Sequence, residues 1–430
     1  MPEPADTPPT VARIRESVRS MGPGALTESG LRDHVFPLFS RVLARTPDGI
    51  YLANHSLGRP MDAVEDDVRE GLSHWYAELG GAWDAWMREV GDYRARIAAL
   101  IGCDRPDAVV PKTSVAQGVR AVLNSHPTTE PWTIVSTRGE FDSDDAVLKS
   151  YDRRGRASVN WVEPDRDGRF DADTIIQTIG AVFERVSGPK LVLVSAVFFV
   201  SGQVLEGLDR VVAAAHIHGA VVVVDAYHSA GAMPVDFDEL GADFMVGGNY
   251  KYTRGGPGAC WLAIHPRHLT GEGPTHEETL ATLDTGWFAL ADPFSYARSD
   301  DAPRAAGGDA WLEATPAILP FYQARSGLEL TLAIGTGRLF AYNREQQDAL
   351  VAALAERGVR PINDDPRGAY VPIGAPDGPA AVRALAERGV DVDARPCPSG
   401  NRWIVRFCPD LLTTRDELER VAQIAGDVLG

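Results

Sequence analysis

Two short blocks hold the residues with the clearest chemical potential. One is Val221-Val222-Val223-Val224-Asp225, with His228 three positions on; the other is Asn249-Tyr250-Lys251-Tyr252 leading into Arg254-Gly255-Gly256-Pro257-Gly258. Four consecutive valines read as a strand buried on both faces, because a continuous β-branched run suits a parallel sheet. Asp225 then closes that strand, and open α/β sheets bind their ligands at strand carboxyl ends. A carboxylate there can keep a pyridine nitrogen protonated. Lys251 follows 26 positions later between two tyrosines. An apolar, aromatic setting disfavours its ammonium form and leaves an amine able to form a Schiff base. The glycines beyond it let backbone pass close to a bulky ligand. An acid for a ring nitrogen and an amine for an aldehyde are the protein's share of a pyridoxal 5'-phosphate (PLP) site, where the cofactor does the hard chemistry.

In this order and spacing the two blocks resemble those of kynureninase and its relatives among the class V aminotransferases, PLP enzymes of fold type I. The resemblance extends from about Tyr51 to the C-terminal helix. It implies Lys251 as the Schiff-base residue, with Asp225 and His228 completing the catalytic group and Tyr250 beside the cofactor. Lys112-Thr113-Ser114 follows a strand and opens a helical run, so hydroxyls and free N–H groups meet at a positive helix end. The family places its phosphate there, which implies Thr113 and Ser114 as phosphate ligands. Ordinary N-capping is the plain alternative. Glu140-Phe141-Asp142-Ser143-Asp144 is similar to the family's Asn-Phe-Pro-Thr-Asp segment, which implies Phe141 as the stacking ring and Asp144 as a cofactor neighbour, with Asp142 in place of the proline. Thr285-Gly286-Trp287-Phe288 and Glu313-Ala314-Thr315-Pro316 resemble segments that reach the phosphate from a neighbouring subunit. That implies a homodimer with shared active sites, Trp287 and Thr315 crossing over. Trp403-Ile404-Val405-Arg406-Phe407 resembles the strand whose arginine grips a substrate carboxylate, a match of guanidinium fork to carboxylate, so Arg406 fits an α-amino-acid substrate.

Departures from the family pattern fall on the substrate side. His55 stands where kynureninases commonly carry Asn, Ala53 where they carry Asp, Ala289-Leu290 where Gly-His is expected, and Pro409-Asp410-Leu411 where Pro-Leu-Tyr is expected. Trp83 and Trp86 are present between Gly80 and Trp86, but no histidine is. The leading expectation is hydrolytic Cβ–Cγ cleavage of a kynurenine-like β-acyl alanine. A class V aminotransferase, an epimerase or a β-eliminating lyase would use the same groups. A desulfurase would need a mobile cysteine near the carboxylate arginine, and Cys397 in Arg395-Pro396-Cys397-Pro398-Ser399-Gly400 is so placed, on a loop its prolines stiffen. A non-catalytic PLP-binding regulator would ordinarily need a DNA-reading or partner-binding appendage.

The elements that must position these residues read as an α/β fold. Strand-like runs at Ala108–Val110, Thr133–Ser136, Ser158–Val162, Leu191–Ser195, Val221–Asp225, Phe244–Gly247 and Ala259–Ile264 alternate with helical stretches. This pattern predicts a mostly parallel seven-stranded sheet with helices on both faces. A long helix from about Thr315 then leads into a smaller α+β unit with strands near Ala369–Ile373 and Trp403–Phe407 and a closing helix from Thr414. The expected division is 1–45 as N-terminal tail and arm, with the first ten residues a Pro-rich disordered tail, 46–310 as the large PLP-binding domain, and 311–430 as the small domain. A length of 430 residues suits two domains. The net charge of -18, from 42 basic and 60 acidic residues, argues against nucleic acid or anionic membrane as a partner and favours a small-molecule amino acid. The longest mostly apolar run, Leu191–Val200, falls short of the roughly 20 residues of a spanning helix. MPEPADTPPT lacks the pattern of a secretory signal. Cys103, Cys260, Cys397 and Cys408 form no CxxC pair, and His216 with His218 lacks a third metal ligand nearby, reading as solvated. A cytoplasmic enzyme without a metal is the expectation.

Overall fold

A computed structural model describes residues 7–269, 280–295, 303–363, 366–400 and 402–430. Twelve strands occur among them: β1 (Ile50–Tyr51), β2 (Val109–Lys112), β3 (Trp132–Thr137), β4 (Ala157–Val162), β5 (Lys190–Ser195), β6 (Val221–Asp225), β7 (Phe244–Gly248), β8 (Cys260–Ile264), β9 (Val371–Ala375), β10 (Val390–Asp391), β11 (Asp393–Pro396) and β12 (Trp403–Phe407). Seven form one sheet in the order β2-β8-β7-β6-β5-β3-β4. β7, β6, β5, β3 and β4 run parallel, while β8 pairs antiparallel with both β7 and β2. The mostly parallel seven-stranded sheet expected from the sequence is therefore present.

The valine run explains why β6 lies at the centre. Val222, Val223 and Val224 are all buried, and the helix Leu208–Ile217 packs Val211, Val212 and Ala215 into the same core. In register, Asp225 sits opposite Ser195 of β5 and Val246 of β7, so three strand ends open on one crevice. The first strand differs from expectation. Pro106 starts a short 3₁₀ turn through Ala108, and the strand runs on through Pro111 to Lys112. Pro111 is tolerated because β2 is the sheet edge, where a missing N–H costs no ladder bond.

The C-terminal unit carries an antiparallel sheet in the order β11-β12-β9. β1 pairs parallel with β10, and Ile50 and Leu52 are buried in this unit's core beside Val371, Val390 and Phe407. The segment just after the expected boundary at 46 thus lends two residues to the C-terminal core. The expected long helix is two, Ile318–Ile334 and Thr336–Ala355, parted at Gly335, whose φ of 90° lies in the left-handed region. The closing helix Arg415–Leu429 starts on a capping box formed by Thr414 and Glu417.

The expected disordered tail through residue 10 is corrected in part. A helix spans Pro9–Ser20, with proline in its first turn, where no intrahelical N–H is lost, and with Val11, Ile14 and Val18 buried along one face. Residues 1–6 lie outside the described residues. Among the described residues no helix is long and apolar enough to cross a membrane.

Candidate active site

β6 delivers Asp225 to the crevice, and the turn after it folds back so that the Tyr227 N–H donates to Asp225 Oδ1 at 2.7 Å. The loop after β7 delivers Lys251. That loop is held from outside: Gly58 N–H donates to the Tyr250 carbonyl at 2.8 Å, and the buried Arg254 donates to the Tyr252 carbonyl at 2.6 Å and to Asp410 at 2.9 Å. Asp410 also accepts from Arg59. Asp410, a departure from the family pattern in the sequence, is thus an ion-pair anchor for the lysine loop. A cavity of about 180 Å³ results, lined by Thr113, Ser114, Phe141, Ser143, Ser195, Phe199, Asp225, Tyr227, His228, Tyr250, Lys251 and Cys260 among others.

Inside it, Lys251 Nζ lies 2.7 Å from His228 Nε2, whose Nδ1 meets the Tyr252 hydroxyl at 3.0 Å. Burial draws the Lys251 amine down to about 7, aided by the Arg406 and Arg395 cations and opposed by Asp225 and Asp393. Burial, then the Lys251 and Arg406 charges, push His228 well below the usual imidazole range, so it is neutral and can accept from the amine. Aromatic rings surround the amine: Tyr227 at 4.4 Å, Phe141 at 5.4 Å and Tyr250 at 5.8 Å from ring centroid to Nζ. Phe141 meets Phe199 edge-on, with centroids 5.1 Å apart.

Beneath the amine lies an acid cluster that the motifs only partly announced. Burial raises Asp225; burial and the Asp225 charge raise Asp144 further, well above the carboxylate range. Both Asp144 oxygens are buried without a hydrogen-bond partner. Glu140 is buried too, accepting from Thr137 Oγ1 at 2.6 Å and Ser195 Oγ at 2.5 Å, and burial lifts it to about 8. Its sequence signal was an acid, between Gly139 and Phe141, where the family pattern has an amide.

At the rim, Ser114 caps the helix Val115–Leu123 by accepting from Gln117 N–H. Thr113 donates both its N–H and its hydroxyl to Gln117 Oε1, at 2.9 and 3.1 Å. That amide oxygen stands where an anionic oxygen would, so the donor set suits phosphate. Gln117 itself escaped the sequence reading; its Nε2 donates to Glu313 at 2.7 Å.

Trp287, Thr315 and Arg406 stand outside the cavity lining. Trp287 packs edge-on against Phe288 and Phe294, and Thr315 is exposed. The two segments lie side by side, with Phe288 N–H donating to the Glu313 carbonyl at 3.3 Å. Arg406 is buried and its fork engages Asp393, an acid the sequence reading did not single out. Cys397 is buried, with Sγ 3.1 Å from Ser399 Oγ, rather than carried on an exposed loop. The expectation of solvated histidines fails at His216, which is half-buried with Nε2 2.9 Å from Asp243, because that buried carboxylate needs partners. Asp243 also meets His268 at 2.7 Å and accepts from Val222 N–H. No His, Cys, Asp or Glu cluster among the described residues has the makings of a metal site.

A family profile described as aminotransferase class-V matches residues 50–392. Similar curated proteins include a kynureninase of Salinispora tropica, 28% identical over 418 residues covering 90% of this chain and 92% of that protein. Another, from Deinococcus radiodurans, is 28% identical with coverages of 88% and 90%, and a third, from Geobacillus thermodenitrificans, is 27% identical with 89% of each. Among solved structures, a C-DES mutant with glycine covalently linked to its PLP cofactor superposes with a TM-score of 0.76 at 20% identity, covering 92% of this chain and 99% of that one. An apo cysteine desulfurase from Thermococcus onnurineus NA1 gives 0.73 at 19% identity, with coverages of 89% and 95%. At such identities the structures report a shared fold, that of the type I PLP enzymes.

Proposed function

The chain belongs to the aminotransferase class-V family, and from that premise we propose that it is a PLP-dependent enzyme acting on an α-amino acid. We take its reaction to be kynureninase-like: water and a kynurenine-like β-acyl alanine give alanine and the aryl carboxylic acid by Cβ–Cγ cleavage. One observation carries the cofactor reading. An amine drawn down to about 7, paired with a neutral imidazole 2.7 Å away, shares a buried cavity with Asp225 and Phe141. The similarity to kynureninases over about nine-tenths of the chain supports the reaction.

Bound in this cavity, PLP supplies an electron-withdrawing ring that acidifies the substrate Cα–H. The chain's own residues supply the rest. Lys251 Nζ, largely uncharged just above neutral pH, would hold the cofactor's aldehyde carbon and serve as general base toward the substrate Cα proton. His228 Nε2 receives a hydrogen bond from that amine and aims it. Asp225, with Tyr227 N–H holding one oxygen, would keep a proton on the cofactor's ring nitrogen. Phe141 and Tyr250, which line the cavity, would supply its aromatic contacts to the cofactor. Thr113 and Ser114 would hold the phosphate, joined by Trp287 and Thr315 of a second copy. Arg406 takes the substrate carboxylate.

Borohydride reduction of the holoprotein followed by peptide mapping is the direct test. Label on Lys251 is the expected outcome; label elsewhere, or none, overturns the cofactor reading. Titration with kynurenine and 3-hydroxykynurenine then tests the reaction. Alanine with anthranilate or its hydroxy derivative supports cleavage, whereas a keto acid with the cofactor left as its amine identifies a transaminase.

A further inference from the structure

Arg406 stands ready for a substrate carboxylate, yet its fork is already filled. Nε donates to Asp393 Oδ1 at 2.8 Å, Nη2 donates to Asp393 Oδ2, and Nη1 donates to the carbonyl of the cavity residue Phe199. Strand register imposes this arrangement: Asp393 of β11 lies directly opposite Arg406 of β12, and opposed residues of an antiparallel pair share a face. Arg395, two residues along β11, falls on that same face. All three guanidinium nitrogens thus already have an acceptor, and the two-point edge is taken by Asp393.

Asp393 has other donors to fall back on. His55 Nε2 lies 2.7 Å from Oδ1, Ser56 Oγ donates to Oδ2 at 2.6 Å, and Arg395 Nη2 lies 3.3 Å from Oδ2. Exposure grades outward in the same order: the Arg406 side chain is 3% exposed, Asp393 19% and Arg395 40%. Removing a lone partner from a buried guanidinium is costly, but exchanging one carboxylate for another leaves every charge paired.

We propose that Asp393 is a specificity-determining stand-in for the substrate carboxylate: it keeps the Arg406 fork paired in the empty site, then yields it and passes to Arg395, His55 and Ser56. This rests on the reading of Arg406 as the carboxylate anchor. A ligand with a carboxylate can drive the exchange, whereas an amine or amide of the same shape leaves Asp393 in place and is excluded.

The test is calorimetric binding of propionate, with propionamide as control, to the holoprotein at fixed ionic strength. Asp393→Asn removes the competing charge and should bind propionate about tenfold more tightly. Arg395→Gln removes the landing site and should bind it about tenfold more weakly, while propionamide should bind to neither. Weaker propionate binding by Asp393→Asn would show that this acid merely holds the fork in place, and overturns the exchange. Should Asp393→Asn not fold, Arg395→Gln decides: unchanged binding there overturns the proposal as well. Arg406→Gln separates the two readings, since undiminished binding by that variant means that the anchor assignment, and with it the exchange, is wrong.

Discussion

A lysine amine half-deprotonated near neutral pH is a different reagent from one in water, where its value is about 10.4. Capture of PLP by cofactor-free protein should therefore rise with pH to a midpoint near 7 and level off above it, and a stopped-flow pH profile checks this. Linkage carries the same sign into stability. Between about 7 and its ordinary value of about 10.4 the unfolded chain binds a proton at Lys251 that the folded chain does not, so the fold gains as pH rises through that window, by at most about 1.4 kcal/mol per unit. Lys251→Met should stabilise the cofactor-free protein at pH 7, and that advantage should shrink by pH 9.5 in thermal melts. Asp225→Asn removes the carboxylate proposed to keep the ring nitrogen protonated. We expect turnover to fall about 10²-fold or more, with Lys251 still labelled by borohydride. Retention of full turnover would remove Asp225 from the mechanism.

The lysine loop is an element built from outside. A Cβ on Gly58 would stand 2.1 Å from the Lys251 carbonyl oxygen and 2.8 Å from Arg254 Cγ, so the Ser-Leu-Gly segment fits only with glycine. Gly58→Ala should push the loop outward, costing roughly 1–3 kcal/mol of stability and lowering cofactor occupancy, as read by thermal melts and by absorbance. At the far end of the chain, the Thr414–Glu417 capping box secures the helix that covers Val371 and Phe407. Thr414→Ala should cost about 0.5–2 kcal/mol without touching cofactor affinity, which separates a folding defect from a site defect.

At the scale of the whole molecule, the segments carrying Trp287 and Thr315 bear on assembly. Trp287 and Thr315 stand apart from the cavity lining, and Trp287 packs on the exposed Phe294. A second copy that receives them would give a dimer whose sites each draw on both chains. Sedimentation should then show a dimer, and mixing Lys251→Ala with Trp287→Ala, each impaired alone, should regenerate about a quarter of parental turnover through hybrids holding one intact site. No recovery from a mixture shown to exchange subunits would place Trp287 in its own chain's site or in none.

Local pattern by itself determined the sheet and singled out Asp225 and Lys251 as site candidates. A valine run ending in Asp225, and a lysine between tyrosines before glycines, each state their environment within a few positions, and the strand runs around them fell close to the observed seven. Only tertiary structure decided what those residues meet. Asp393 and Arg406 are 13 positions apart on different strands, Asp410 reaches Arg254 across 156, and Glu313 meets Gln117 across 196. Ile50 joins Val390 by strand pairing alone. Periodicity reports which face of an element is apolar, but not which distant element supplies the opposite charge. For that reason the cofactor side of the site is legible in the chain, while the occupied carboxylate fork emerges only from strand register.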